Sequence, residues 1–170
     1  MGFLKQLLQK RTAIYTPGVV YAPLNGTCIP LEQVADPVFA SGMLGKGIGI
    51  EPDNGELLSP VDGTVSLIAK TKHALGIITA DGAELLLHIG LDTVEMNGDG
   101  FQCYVQQNQS VKLGQRLMRF DLDKIRTAGH GTTLLVLVTN SPNLGNVEFD
   151  TQNPVRCLEP IGHYSAANEQ

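Results

Sequence analysis

Tryptophan is absent, and aromatic residues make up only 5% of the chain. A core built from this sequence must be packed largely from aliphatic side chains. Cysteine is scarce too. Cys28, Cys103 and Cys157 are odd in number and widely spaced, which fits neither a C-x-x-C metal pattern nor a disulfide framework. A reduced cytoplasm is the simplest compartment for such a chain. No run of Lys and Arg forms a basic stripe, and the net charge is −5, so nucleic acid is excluded as the main partner. No apolar run approaches the ~18 residues that span a bilayer. The start, MGFLKQLLQKRT, has neither a long apolar stretch nor a cleavage site, so no secretory signal is expected. At 170 residues the chain suits one domain with a real core.

Long helical periodicity is also missing. Short apolar runs take its place: TCIPL, KGIGIEP, GTVSLIA, LGIITA, AELLLHIG and TTLLVLVTN. Turn signals such as PLNG, PDNG, PVDG, ADG, MNGDG and NSPNLG separate them. Runs this short between Gly and Pro predict an all-β domain, a sandwich or barrel. With 19 Gly and 9 Pro, turns must be numerous. Little helix is expected. Residues 3–10 put Phe3, Leu4, Leu7 and Leu8 on one face. Residues 121–128, DLDKIRTA, suit one or two turns with Asp121 as N-cap. Near the C-terminus, PVRCLEPI reads as strand-like.

One internal repeat is visible. YAPLNGT at 21–27 and LSPVDGT at 58–64 share apolar, small, Pro, apolar, Asn/Asp, Gly, Thr, 37 residues apart. A turn motif can recur by chance, but two copies point to two related β-motifs packed as one body. The division expected is an amphipathic segment over 1–15 and a single domain over 16–165.

His73 lies in TKHALGIIT and His88 in AELLLHIG, with ADGA between them. A two-residue Asp81-Gly82 turn would pair Leu75 with His88 and His73 with Gly90. Side chains alternate along strands, so both histidines would project from one face, as diagonal neighbours roughly 7–8 Å apart. An odd loop would put them on opposite faces unless a bulge intervened. Three readings of such a pair stand open. They are structural histidines. They are part of a zinc site, which needs further ligands; Asp92 follows four residues after His88, but no H-x-H or other spacing completes a set. Or they transfer phosphate, one imidazole acting as nucleophile and the other spreading the phosphoryl charge, with no metal required. His130, in a Gly-rich loop, and His163, near a polar tail, read as structural or surface residues.

The runs PVDGTVSLI, TKHALGIITADGAELLLHIGLDTVEMNGDGF and VKLGQRLMRFDL resemble the glucose-type enzyme IIA family of the bacterial phosphoenolpyruvate-dependent sugar phosphotransferase system. The resemblance runs from about Ala22 to Asn140. Its specific part is H-[IF]-G-[IL]-D-T-V-E followed by G-[DE]-G-F, fifteen residues after another histidine. It implies a compact antiparallel β-sandwich with a duplicated motif. It also implies that His88 carries the phosphoryl group, that His73 steadies the phosphate, and that Thr71 orients His73. Asp36 and Asp92 match acidic positions at the active-site rim; their alternatives are a loop aspartate and a turn residue. No cofactor is implied.

The implied reaction is a relay. The small phosphocarrier protein HPr is the donor, and a cysteine on the IIB domain of a sugar permease is the acceptor. Docking of two proteins at a histidine calls for an exposed apolar collar. Phe39, Leu44, Leu75 and Leu86 are candidates for that collar or for the core beside it. The family often has aromatic residues in HAF and HFG where this chain has HAL and HIG, and a proline in the strand matched by LLVLVTN. The amphipathic residues 3–10 offer weak peripheral contact with the inner membrane face. Two other functions stay in view: a zinc metallopeptidase of related duplicated fold, and a regulatory protein that binds through the same face.

Overall fold

The computed structural model describes residues 14–166. The expected helix over 3–10 lies outside them, as does most of the segment 1–15. The strands are β1 (Val19–Tyr21), β2 (Gly26–Pro30), β3 (Lys46–Pro52), β4 (Glu56–Leu58), β5 (Gly63–Ile68), β6 (Ala74–Ile78), β7 (Glu84–Ile89), β8 (Phe101–Cys103), β9 (Ser110–Val111), β10 (Arg116–Phe120), β11 (Leu134–Val138), β12 (Asn146–Phe149) and β13 (Pro160–Ser165). Two short helices join them, α1 (Pro37–Ala40) and α2 (Leu122–Thr127). Asp121 caps α2 as expected, its Oδ1 accepting from the Lys124 N–H at 3.1 Å. No helix among the described residues is long and apolar enough to cross a membrane.

The fold is all-β and antiparallel. One sheet has seven strands in the order β2-β3-β11-β7-β6-β5-β9, and two further sheets are β1-β13-β12 and β4-β10-β8. Burial explains the sequence patterns. LLVLV of β11 is buried throughout, so it reads as a continuous apolar run and not as an alternation. In β7, Leu85, Leu87 and Ile89 point into the main core, while Leu86 and His88 take the other face. Leu87 has no exposed surface and sits in the middle of the central sheet. Leu87→Ala should therefore destabilise the protein by about 2–5 kcal/mol, read as a lowered urea midpoint with an unchanged slope.

The heptapeptide repeat is the visible end of a larger duplication. The Tyr21 N–H donates to the Pro60 carbonyl at 3.1 Å, and the Leu58 N–H donates to the Pro23 carbonyl at 2.9 Å. The two copies thus clasp each other reciprocally. Each copy also holds a second segment by its Asn/Asp side chain. Asn25 Oδ1 accepts from the Cys157 N–H and Asp62 Oδ1 from the Leu113 N–H, both at 2.7 Å. These second segments, VKLGQ (111–115) and VRCLE (155–159), turn alike, with Gly114 and Leu158 both at positive φ. A pseudo-two-fold follows, exchanging β2 with β5, β3 with β6, and β11 with β7. Val136 pairs with Ile48 and Leu87 with Leu75, and Val136 pairs with Leu87 across the axis.

Two expectations need correction. PVRCLEPI is not a strand: only Val155 bridges to Gly26, and β13 begins at Pro160. The left-handed turn at Leu158 breaks the extended run. The β6–β7 hairpin has a three-residue loop, Ala80-Asp81-Gly82, closed by the Thr79 N–H to the Ala83 carbonyl at 2.9 Å. Gly82, at φ +92°, takes the left-handed place at the end of that loop. Ala74 therefore faces His88, and Leu75 faces Leu87.

Candidate active site

His88 stands near the end of β7, on the face turned away from the main core. Its Nδ1 lies 2.9 Å from the Gly90 carbonyl, which can only accept, so Nδ1 carries the proton. Nε2 keeps its lone pair and has no hydrogen-bond partner among the described residues. Gly90 is needed for this contact. Its φ is +72°, and a Cβ there would meet Thr93 Cγ2 at 2.5 Å. Burial, with the neighbouring His73 second, lowers the His88 pKa to about 4. The Gly90 carbonyl, Asp36 and Asp92 oppose that shift. The site presents a neutral imidazole at pH 7.

His73 meets His88 with ring centroids 5.1 Å apart and planes at 81°. The pair is formed, but not by the expected register. With Ala74 opposite His88, strict alternation would turn His73 to the other face. His73 instead stands in a bend before β6, where Lys72 is left-handed at φ +57° and the Lys72 N–H donates to the Ala69 carbonyl at 2.8 Å. That turn breaks the alternation and brings the ring round to His88. Thr71 Oγ1 lies 2.6 Å from His73 Nδ1. When the hydroxyl donates there, the ring proton sits on Nε2. Burial also lowers the His73 pKa.

The segment between β2 and β3 supplies the other wall. Asp36 Oδ1 accepts from the N–H groups of Val38 at 2.9 Å and Phe39 at 3.4 Å, and Pro37 occupies the first helical position. Asp36 is therefore the N-cap of α1, not a free loop aspartate. The Asp-Pro pair carried that signal in the sequence. Phe39 packs on His88 with centroids 4.8 Å apart. Asp36 and Asp92 line one depression together with His130.

Of the collar candidates, Leu44 is exposed at 39%, and Leu86 is half-buried against Val34, Phe39, Leu135 and Leu137. Leu75 is not part of a collar. It is fully buried in the main core, because the observed register puts it opposite Leu87 on the inward face. Sequence reasoning missed Val38, Met43 and Val94, exposed at 50%, 81% and 51% on the segments that carry Asp36 and Asp92. Apolar residues flanking the two acidic positions were the available signal. His130 lies 3.8 Å from Glu95, and the exposed His163 lies 3.4 Å from Glu148. No three His, Cys, Asp or Glu side chains among the described residues gather as a metal-ligand set.

The buried imidazole couples protonation to folding. An unfolded histidine titrates near 6.5, whereas His88 titrates near 4 in the native protein. Between these values the unfolded chain binds a proton that the native state refuses, so native stability falls as the pH drops. Above about pH 6.5 the effect vanishes. Urea unfolding at pH 7 and 4.5 should show a larger acid loss for the wild type than for His88→Gln.

The family model for the phosphoenolpyruvate-dependent sugar phosphotransferase system, EIIA 1, matches residues 18–144. The chain belongs to this EIIA family. It is 44% identical over 129 residues to the PTS system glucose-specific EIIA component of Oceanobacillus iheyensis, covering 76% of this chain and 78% of that one. It is 48% identical over 131 residues to the PTS system glucose-specific EIICBA component of Streptococcus pneumoniae serotype 4, covering 77% of this chain but only 18% of that longer relative. The solved glucose permease IIA from Mycoplasma capricolum superposes with a TM-score of 0.77 at 36% identity, over 85% of this chain and 93% of that one. The EIIA fold and the phosphocarrier role fit these matches, and the zinc-peptidase alternative is not favoured by them.

Proposed function

We propose that this EIIA domain accepts a phosphoryl group from phosphorylated HPr on His88 Nε2 and passes it to a cysteine of a permease IIB domain. The observation that supports this reading best is the complementary protonation of the two rings. Gly90 fixes the His88 proton on Nδ1, which leaves Nε2 as the nucleophile. Thr71 favours the His73 proton on Nε2, where it can donate to a phosphoryl oxygen.

In the first step the P–N bond to the donor histidine breaks in line as the P–N bond to His88 Nε2 forms. In the second, the bond to His88 breaks as a P–S bond forms to the acceptor thiolate, and His88 returns to its neutral state. Each step needs positioning and charge dispersal, which the two imidazoles provide without a metal. Asp36 and Asp92 stand where a cation of a docked partner would meet them, and the exposed Val38, Met43, Leu44 and Val94 offer that partner an apolar rim. A relative named EIICBA, which names C, B and A components together, supports a IIB partner. The cytoplasm, with the inner membrane face reached through residues 3–10, belongs to the same reading.

The test is incubation with phosphoenolpyruvate, enzyme I and HPr. One acid-labile phosphoryl group per chain is expected. A protein that stays unlabelled with partners that label a known EIIA would overturn the reading.

A further inference from the structure

We propose that Phe39 is a positioning residue for phosphoryl transfer: its ring holds the His88 imidazole in the orientation that pairs Nδ1 with Gly90 and leaves Nε2 free. This rests on His88 being the phosphoryl acceptor. Phe39 is only 7% exposed, so most of its ring faces inward and is not offered to a partner. What it faces is the imidazole, at 4.8 Å between centroids and a tilt of 58°.

The ring is itself held from several sides. Asp36 caps α1 through the Val38 and Phe39 N–H groups, and Pro37 fixes the first helical φ. Val34, Leu135 and Leu137 pack with Phe39 in a small apolar cluster separate from the main core. Leu135 and Leu137 belong to β11, one neighbour of β7, and His73 precedes β6, the other neighbour. The imidazole thus meets two rings, Phe39 braced on β11 and His73 from the bend before β6. The outer torsion of a histidine is soft, and ring contacts of this kind remove that freedom.

The same contact sets the charge state. The titratable groups facing His88 are His73 from the β6 side, Asp36 from the α1 side and Asp92 from beyond β7, and His130 lines the depression that holds the two carboxylates. Both carboxylates favour a protonated His88, yet burial outweighs them. A phenyl ring in van der Waals contact excludes water from one side of the imidazole, and removing it should let water and the carboxylates act.

The test follows the His88 ring by NMR titration of the unphosphorylated protein, in the wild type, Phe39→Leu and Phe39→Ala. In Phe39→Ala the His88 pKa should rise by about one unit or more, and in Phe39→Leu by less. The acid limb of phosphoryl acceptance from phospho-HPr should move by the same amounts. If titration and acid limb are unmoved in both variants, Phe39 is a docking surface and the proposal fails, whatever happens to the rate. Should Phe39→Ala lose the native spectrum, Phe39→Leu decides by the same criterion. A wild type that titrates as described but takes no label defeats the acceptor reading and the proposal with it. Unmoved titration in a protein that labels normally defeats the proposal alone.

Discussion

His88→Gln is expected to take no phosphoryl label at all while keeping the native fold. Glutamine retains a polar, uncharged side chain at a half-buried position but has no nucleophilic ring nitrogen. His73 cannot step in. Its Nδ1 lies 2.6 Å from Thr71 Oγ1, and when that hydroxyl donates, the His73 proton sits on Nε2 and no lone pair faces the phosphoryl group. Loss should therefore be complete, not partial. Label in His88→Gln, mapped to His73 after digestion, would reverse the two roles. Far-UV circular dichroism and the urea midpoint at pH 8 separate a chemical loss from an unfolded protein. At that pH the protonation penalty on the wild type is absent, so the two midpoints should lie close together.

His73→Gln is expected to split the two half-reactions. Label should still enter His88, because Nε2 and the Gly90 contact that fixes the tautomer remain. Onward transfer to the acceptor cysteine should fall by about 10²–10³, the range for loss of one donor to developing negative charge. Accepting from a phosphohistidine exchanges one P–N bond for another, so it tolerates the loss better than transfer to sulfur. Thr71→Val should act in the same direction and less severely, since it removes only the hydroxyl that fixes the His73 tautomer. Single-turnover transfer from purified phosphoprotein to the cognate IIB domain reads the second step directly. Equal loss in both steps would mean that His73 places the His88 ring and does not serve the leaving phosphate.

The strands were legible because their signals are local. KGIGIEP became β3 to the residue, and Asp121 capped the helix that follows it. The histidine pair was legible as well, although the register that forms it differs from the one the Asp-Gly pair suggests. A two-residue Asp-Gly turn and a three-residue loop ending in glycine look alike in sequence. Which one forms depends on where the αL residue falls. The compensating irregularity was Lys72, a residue type that gives no warning of positive φ. Leu75 was ambiguous for the same reason, because one step of register decides whether it lines the rim or the core. Phe39 and Asp36 lie far from His88 in the chain, and no periodicity links a single helical turn to a strand some fifty residues later. The second half of the duplication is faint in sequence because VKLGQ and VRCLE share only a valine, a basic residue after it and a Gln/Glu end, too short a match to stand out.

The pseudo-two-fold also bears on valency. It makes Leu137 the counterpart of His88, on the same face of the neighbouring strand. The link between β5 and β6 is a brief turn over residues 69–73, and it leaves His88 within reach of solvent. The corresponding link between β2 and β3 is an excursion over residues 31–45 that lays Phe39 and Val34 against Leu137. The two related positions thus differ: one holds the histidine proposed to take the phosphoryl group, and the other a leucine packed beneath Val34 and Phe39. The two positions are diagonal neighbours about 7–8 Å apart, whereas a protein partner occupies on the order of 800 Å² of surface. A second phosphohistidine so close could never have been served at the same time as the first. On the proposed reading, one group per chain, handed on by one partner at a time, is the stoichiometry expected of this sheet geometry.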